Sequence, residues 1–170
     1  MVFRVASSVT TTGGGTFSGY YGSFFSSLDQ TDGITPYAMY CENTADADGV
    51  SMAVNALGKK SRMTFAHAGT YNIQFSAQLH NTGGGGSGQT VNIWFRLNEN
   101  NVANSDTKLV VPSNAPYIVA AWNFIQSVAA GDYMEIIWFT DNSNIILEQE
   151  NATAVSPAIP SVIMTAQQIR

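Results

Sequence analysis

His67, His80 and Cys41 are the natural places to look for chemistry in this 170-residue sequence, and their spacing supports little of it. A structural zinc site takes four His or Cys ligands at short spacings. Here three such residues stand far apart, so no metal site is expected. Cys41 ends the apolar run Tyr37-Ala38-Met39-Tyr40-Cys41 with no histidine beside it, the setting of a buried structural thiol and not of a nucleophile. Serines and aspartates are plentiful enough for a Ser-His-Asp triad, but no Gly-x-Ser-x-Gly elbow is present, and His67 in Phe65-Ala66-His67-Ala68-Gly69 reads as a turn residue. Glycoside hydrolysis needs two facing carboxylates, for which Asp132, Glu135, Asp141, Glu148 and Glu150 are raw material. Glu135 is the one charge in an apolar strand, and it reads as a solvated or salt-bridged residue at a sandwich edge. No catalytic residue is assigned, and the chain is not expected to be an enzyme.

The glycine motifs fare no better. Gly83-x-Gly85-x-x-Gly88 matches a dinucleotide fingerprint, but that fingerprint works only where the glycines open a helix, and Gln89-Thr90-Val91-Asn92-Ile93-Trp94 continues as a strand. Gly58-Lys59-Lys60-Ser61 lacks the order of a phosphate loop. Asp46-x-Asp48-Gly49 lacks the later ligands of a calcium loop and reads as a polar turn. No cofactor is expected. Trp94, Trp122 and Trp138 could form a sugar-stacking platform, though burial in a core or a subunit interface is the commoner use of tryptophan. Trp94 differs from the other two in lying on the polar face of its strand.

The elements that would position these residues are strands. Over 71–80, Tyr71, Ile73, Phe75, Ala77 and Leu79 alternate with polar residues, and Val91, Ile93, Phe95 and Leu97 do the same. Strict period-two alternation is the mark of a half-buried strand. Further β-rich runs lie at 20–28, 34–41, 50–57, 62–66, 108–111, 117–128, 133–140, 145–148 and 162–169, with polar turns between them and no amphipathic helix. That pattern predicts an all-β, antiparallel jelly-roll β-sandwich.

Charged residues make up 11% of the chain against about 25% in an average soluble protein, while hydrophobic residues make up 45%. With a net charge of −5, capture of nucleic acid or of an anionic membrane is not expected. The longest apolar runs, such as 117–122 and 136–139, are strand length, too short to span a bilayer. Arg4 interrupts the apolar start, leaving no secretory h-region, and a single cysteine allows no intrachain disulfide. Both features suit folding in a reducing cytoplasm.

The strands 117–128 and 133–140 carry apolar residues on both faces. A two-layer sandwich covers one face of each sheet, so the second face predicts a cover from another copy of the chain. Trp122, Phe124, Tyr133, Ile137, Trp138 and Phe139 are the expected interface residues. Residues 1–20 form a different unit, an extended N-terminal arm rich in Ser, Thr and Gly, ahead of a jelly-roll domain over 21–170. Val2, Phe3, Val5 and Phe17 are its expected anchors on a partner.

Two segments together resemble a known superfamily. "FAHAGTYNIQFSAQL" resembles the Gly-x-Tyr-x-Phe strand of the tumour necrosis factor and complement globular-head proteins through Gly69, Tyr71 and Phe75, with Ile73 where an aromatic is commoner. "SVAAGDYMEIIWF" resembles their Gly-Asp strand through Gly131 and Asp132. "VNIWFRLNENNVANSDT", "AAWNFIQSVAAGDYMEIIWF" and "PAIPSVIMTAQQI" are similar to jelly-roll virion proteins of tailed bacteriophages, with Asn98-Glu99 in place of the usual Asn-Gly turn. The resemblance covers about 21–169 and implies a homotrimer and a virion component made in the host cytoplasm. A fibre subunit would carry a long stalk, so the short arm favours a capsid decoration, or cement, protein. Its partners would be its own copies and the major capsid protein or other virion proteins. The alternative is the receptor-binding knob of a tail fibre, touching host-surface carbohydrate through loops 81–89 and 141–144.

Overall fold

The computed structural model describes residues 19–31, 33–83, 88–113 and 117–170. The proposed arm residues Val2, Phe3, Val5 and Phe17 lie outside them, as does the middle of the 81–89 loop. Among the described residues thirteen strands follow one another: β1 (Tyr21–Ser26), β2 (Tyr37–Ala38), β3 (Asn43–Asp48), β4 (Val50–Val54), β5 (Lys60–Phe65), β6 (Gly69–Asn81), β7 (Gln89–Leu97), β8 (Asn100–Asn101), β9 (Thr107–Val111), β10 (Tyr117–Val128), β11 (Tyr133–Thr140), β12 (Ile145–Leu147) and β13 (Val162–Gln168). They form two antiparallel sheets. A six-stranded sheet runs β10-β6-β13-β1-β3, with β12 also paired to β6. A seven-stranded sheet runs β4-β5-β11-β7-β8, with β2 paired to β11 and β9 to β7.

The core forms where the alternating rows of the two sheets meet. Tyr71, Ile73, Phe75, Ala77 and Leu79 of β6 and Val91, Ile93 and Phe95 of β7 are all buried, as the period-two pattern predicts. Phe65 packs on Tyr71 at 4.6 Å between ring centroids, and Phe75 meets Phe95 edge-on at 6.1 Å. Burying whole aromatic and branched side chains of this kind supplies about 1.5–3 kcal/mol each, the main force holding the sheets together.

Strand β11 departs from expectation. It lies inside its sheet, with β7 on one side and β5 and β2 on the other. Trp138 points into the core and is fully buried; a Cβ on Gly33 would come within 2.3 Å of its ring, so only glycine permits that approach. Ile137 is on the opposite row, yet it is fully buried too, set in register between Trp94 of β7 and Ala38 of β2. The chain therefore covers both faces of this part of β11 by itself. Ile137 and Trp138 offer no surface to another copy, which corrects their assignment as interface residues.

β10 and β11 are joined by a corner that explains the Gly-Asp pair. Gly131 has φ +88°, in the left-handed region that glycine adopts without penalty. Asp132 accepts from the Ala129 backbone N–H (2.7 Å) and from Asn98 Nδ2 (2.7 Å), while Asn98 Oδ1 accepts from the Tyr133 N–H (3.0 Å). The Asn98 hydrogen bond, with the Ala129 N–H, holds the Asp132 carboxyl below the usual carboxylate range. Asp132 thereby ties the β10–β11 corner to the β7–β8 turn.

Candidate functional site

The outer face of the six-stranded sheet is built from side chains without formal charge. Across it, Ile125 of β10 stands beside Asn72 of β6, then Gln167 of β13 and Tyr21 of β1. The next row is Asn123, Gln74, Thr165 and Ser23, and the one after it Ala121, Ser76, Ile163 and Phe25. Asn123 Nδ2 donates to Asn72 Oδ1 at 3.1 Å, locking the edge strand to its neighbour. Charge returns at the margins, with Asp46 and Asp48 opposite Ser23 and Tyr21 on β3 and with Glu148 against His80 at the other end of β6. Asp46 and Asp48 belong to that exposed strand and not to a turn.

β10 is the edge of this sheet, and large apolar side chains stand bare along it. Val119 is 62% exposed and Ile125 65%, and Ile163 on β13 is 39% exposed. The inward row of β10 is only partly covered: Trp122 packs edge-on against Phe75 at 4.6 Å and Phe124 against Phe95 at 4.1 Å, yet both remain half-buried. Leu109 of β9 is half-buried in the same way. An exposed edge strand with bare apolar residues invites a partner. Of the six expected interface residues, Trp122 and Phe124 lie on this edge, and Tyr133 and Phe139 are half-buried on the outer side of the other sheet. Val119, Ile125 and Ile163 are barer than any of the six. Strand alternation marks them in sequence only once the edge is known.

Titratable residues gather in two places. At one end of β10, His80 Nδ1 and Glu148 Oε2 are in ion-pair contact, and the Tyr117 ring lies 4.7 Å from the His80 ring. A hydrogen bond to Glu150, with desolvation and both glutamates, pushes the Tyr117 phenol up to about 12. On the outer side of the seven-stranded sheet, Glu135 is 4% exposed. It accepts from Ser61 Oγ at 2.8 Å, and Arg62 and Arg96 each approach its carboxylate to 3.9 Å. Arg62 also pairs with Glu99 at 2.8 Å and lies over the Tyr133 ring at 4.4 Å. Glu135 is thus a buried, compensated charge in the middle of a sheet, not one at a sandwich edge. Cys41 is fully buried and desolvation pushes its thiol well above the usual range, which leaves it without nucleophilic character. His67 is an exposed turn residue stacked on Tyr20 at 3.6 Å. No group of three or more His, Cys, Asp or Glu is placed to hold a metal ion among the described residues, and no described helix is long and apolar enough to cross a membrane.

Trp94 opens a third region. It stands in the outward row of β7, beside Asn92 and near Phe139 of β11, which is opposite Asn92 in register. β8 and the segment after it fold back beside them, so that Asn101, Asn104 and Asp106 complete an open cleft of about 670 Å³. The Trp94 indole N–H donates to Asn101 Oδ1 at 2.9 Å, and Asn92 Nδ2 donates to Asp106 Oδ2 at 2.9 Å. The alternation placed Trp94 on the polar face, but Asn101, Asn104 and Asp106 carry no local sign of the cleft they help to build.

Two antiparallel sheets packed through aromatic and branched rows, with these crossing connections, define an all-β jelly-roll sandwich. Among solved structures, the globular domain of zebrafish complement 1qA protein has the same architecture, with a TM-score of 0.51, 13% identity, and coverage of 89% of this chain and 98% of that one. At that identity the likeness shows the fold alone, a jelly-roll β-sandwich. No family model matches the chain, and no curated protein matches it.

Proposed function

We propose that this chain is a virion structural protein of a tailed bacteriophage, a homotrimeric capsid decoration protein that binds and stabilises the shell. The phage assignment rests on the sequence resemblance over 21–169, and the jelly-roll fold is compatible with it. Self-association is supported by one observation above the others: the outer face of the six-stranded sheet has no formal charge across its central rows, and its edge strand exposes Val119 and Ile125. A neutral face rich in Asn, Gln, Ser and Thr, with apolar residues along its edge, costs less to cover than a charged one where its amides and hydroxyls find hydrogen-bond partners across the contact, because no ion has to be stripped of water. In this role the chain performs no catalysis and needs no cofactor. Its partners are its own copies and a capsid protein, with residues 1–20 as the arm that reaches them.

Sedimentation of the purified chain tests the assembly. A stable trimer is expected, and a persistent monomer at micromolar concentration would overturn it. Copy number in purified particles tests the role: decoration requires many copies per virion, and shells carrying a chain without residues 1–15 should release DNA at lower temperature than wild type. Few copies, with adsorption blocked by the free protein, would instead support a receptor-binding fibre knob, the second reading, which the Trp94 cleft favours.

A further inference from the structure

We propose that the Trp94 cleft is a binding site for a neutral sugar ring. Trp94 and Phe139 supply aromatic surface, and Asn92, Asn101, Asn104 and Asp106 surround it with planar polar groups. The polar groups are already positioned. Asn101 is held by the Trp94 N–H and Asn92 by Asp106, so less conformational freedom remains to be lost when a ligand arrives. Each of these bonds leaves capacity unused: both N–H bonds of Asn101, the Oδ1 atom of Asn92 and the Oδ1 atom of Asp106. A sugar hydroxyl both donates and accepts, and adjacent hydroxyls match paired donors and acceptors of this kind. The C–H face of the same ring can lie on an indole.

Other ligand classes fit less well. An apolar peptide would bury the unused positions of Asn92, Asn101 and Asp106 without partners, a cost of about 1–3 kcal/mol for each group left unsatisfied. A phosphate or acidic ligand would meet Asp106, the one charge in the lining, and Lys108, opposite Asn92 in register, is not part of it. The cleft is also on the opposite sheet from the proposed self-association face, so it stays open in an assembly built through that face. The inference does not depend on the chain being a virion protein.

The test titrates the full chain with glucose, galactose, N-acetylglucosamine and glucuronate, following the indole N–H signals by NMR and the affinity by calorimetry. Trp94 should shift saturably with at least one neutral sugar while Trp138, enclosed in the core, does not move and reports an intact fold. Trp94→Ala should weaken binding by about tenfold or more, and Asp106→Ala, a change at an exposed side chain, should weaken it less. The proposal is overturned if no neutral sugar shifts Trp94, if binding survives Trp94→Ala unchanged, or if glucuronate binds more tightly than glucose.

Discussion

Strands β10 and β11 are neighbours in the chain and look alike in sequence, each apolar on both faces, yet they have opposite surroundings. β11 sits inside its sheet with both rows over 134–138 buried by its own chain, whereas β10 is an edge whose outer row stands bare. A two-faced apolar strand therefore signals that something covers its second face without saying what does. For β11 that cover is β2 and the outward row of β7. For β10 it is the partner surface proposed above.

The largest expected effect lies on the β11 side. Trp138→Ala should cost about 3–5 kcal/mol in denaturant unfolding, through lost burial and the cavity left behind. A loss under about 1 kcal/mol would mean that the ring is not in the core and that the contrast between the strands is wrong. The corner between them responds to acid. Because the Asp132 carboxyl titrates below its usual value in the folded state, its stabilising effect is present at neutral pH and is lost as pH falls below about 3.8 through the folded value. Asp132→Asn should lower stability at pH 7 and flatten this acid loss. A wild-type acid profile in the variant would show that the Asn98 and Ala129 hydrogen bonds do not favour the charged form. On the β10 side, Val119→Glu and Ile125→Glu should change unfolding of the isolated protomer by no more than about 0.5 kcal/mol while abolishing self-association. If either variant unfolds the protomer, the outer row of β10 is not a free surface.

Much of the fold was legible in local sequence. The rows of β6 and β7 follow from alternation, the antiparallel class from short strands joined by polar turns with no helix between them, and the buried character of Cys41 from the apolar run 37–41. β3 leaves no strand signature in the sequence because Asn43-Thr44-Ala45-Asp46-Ala47-Asp48 is an exposed edge strand with no apolar row to mark it. It is held by backbone pairing with β1, which leaves little trace in side-chain type. The candidate sites were legible in part. Trp94 stood out on a polar row, but Asn101, Asn104 and Asp106 reach it only because a turn with left-handed φ at Asn98 (+46°) and Glu99 (+67°) reverses the chain after β7. Glu135 stands out in sequence as a lone charge, but Ser61 and Arg62, which compensate it, come from a strand more than 70 residues earlier.

The sequence by itself determined that this protein is a β-sandwich with little charge, because side-chain periodicity and composition are local properties that any strand must express. It also determined that more apolar surface exists than one sheet interface can hide. Only the tertiary structure decided which of that surface the chain covers for itself. Strand order and register depend on pairings between distant segments, and those pairings place β11 in the interior and β10 at the edge.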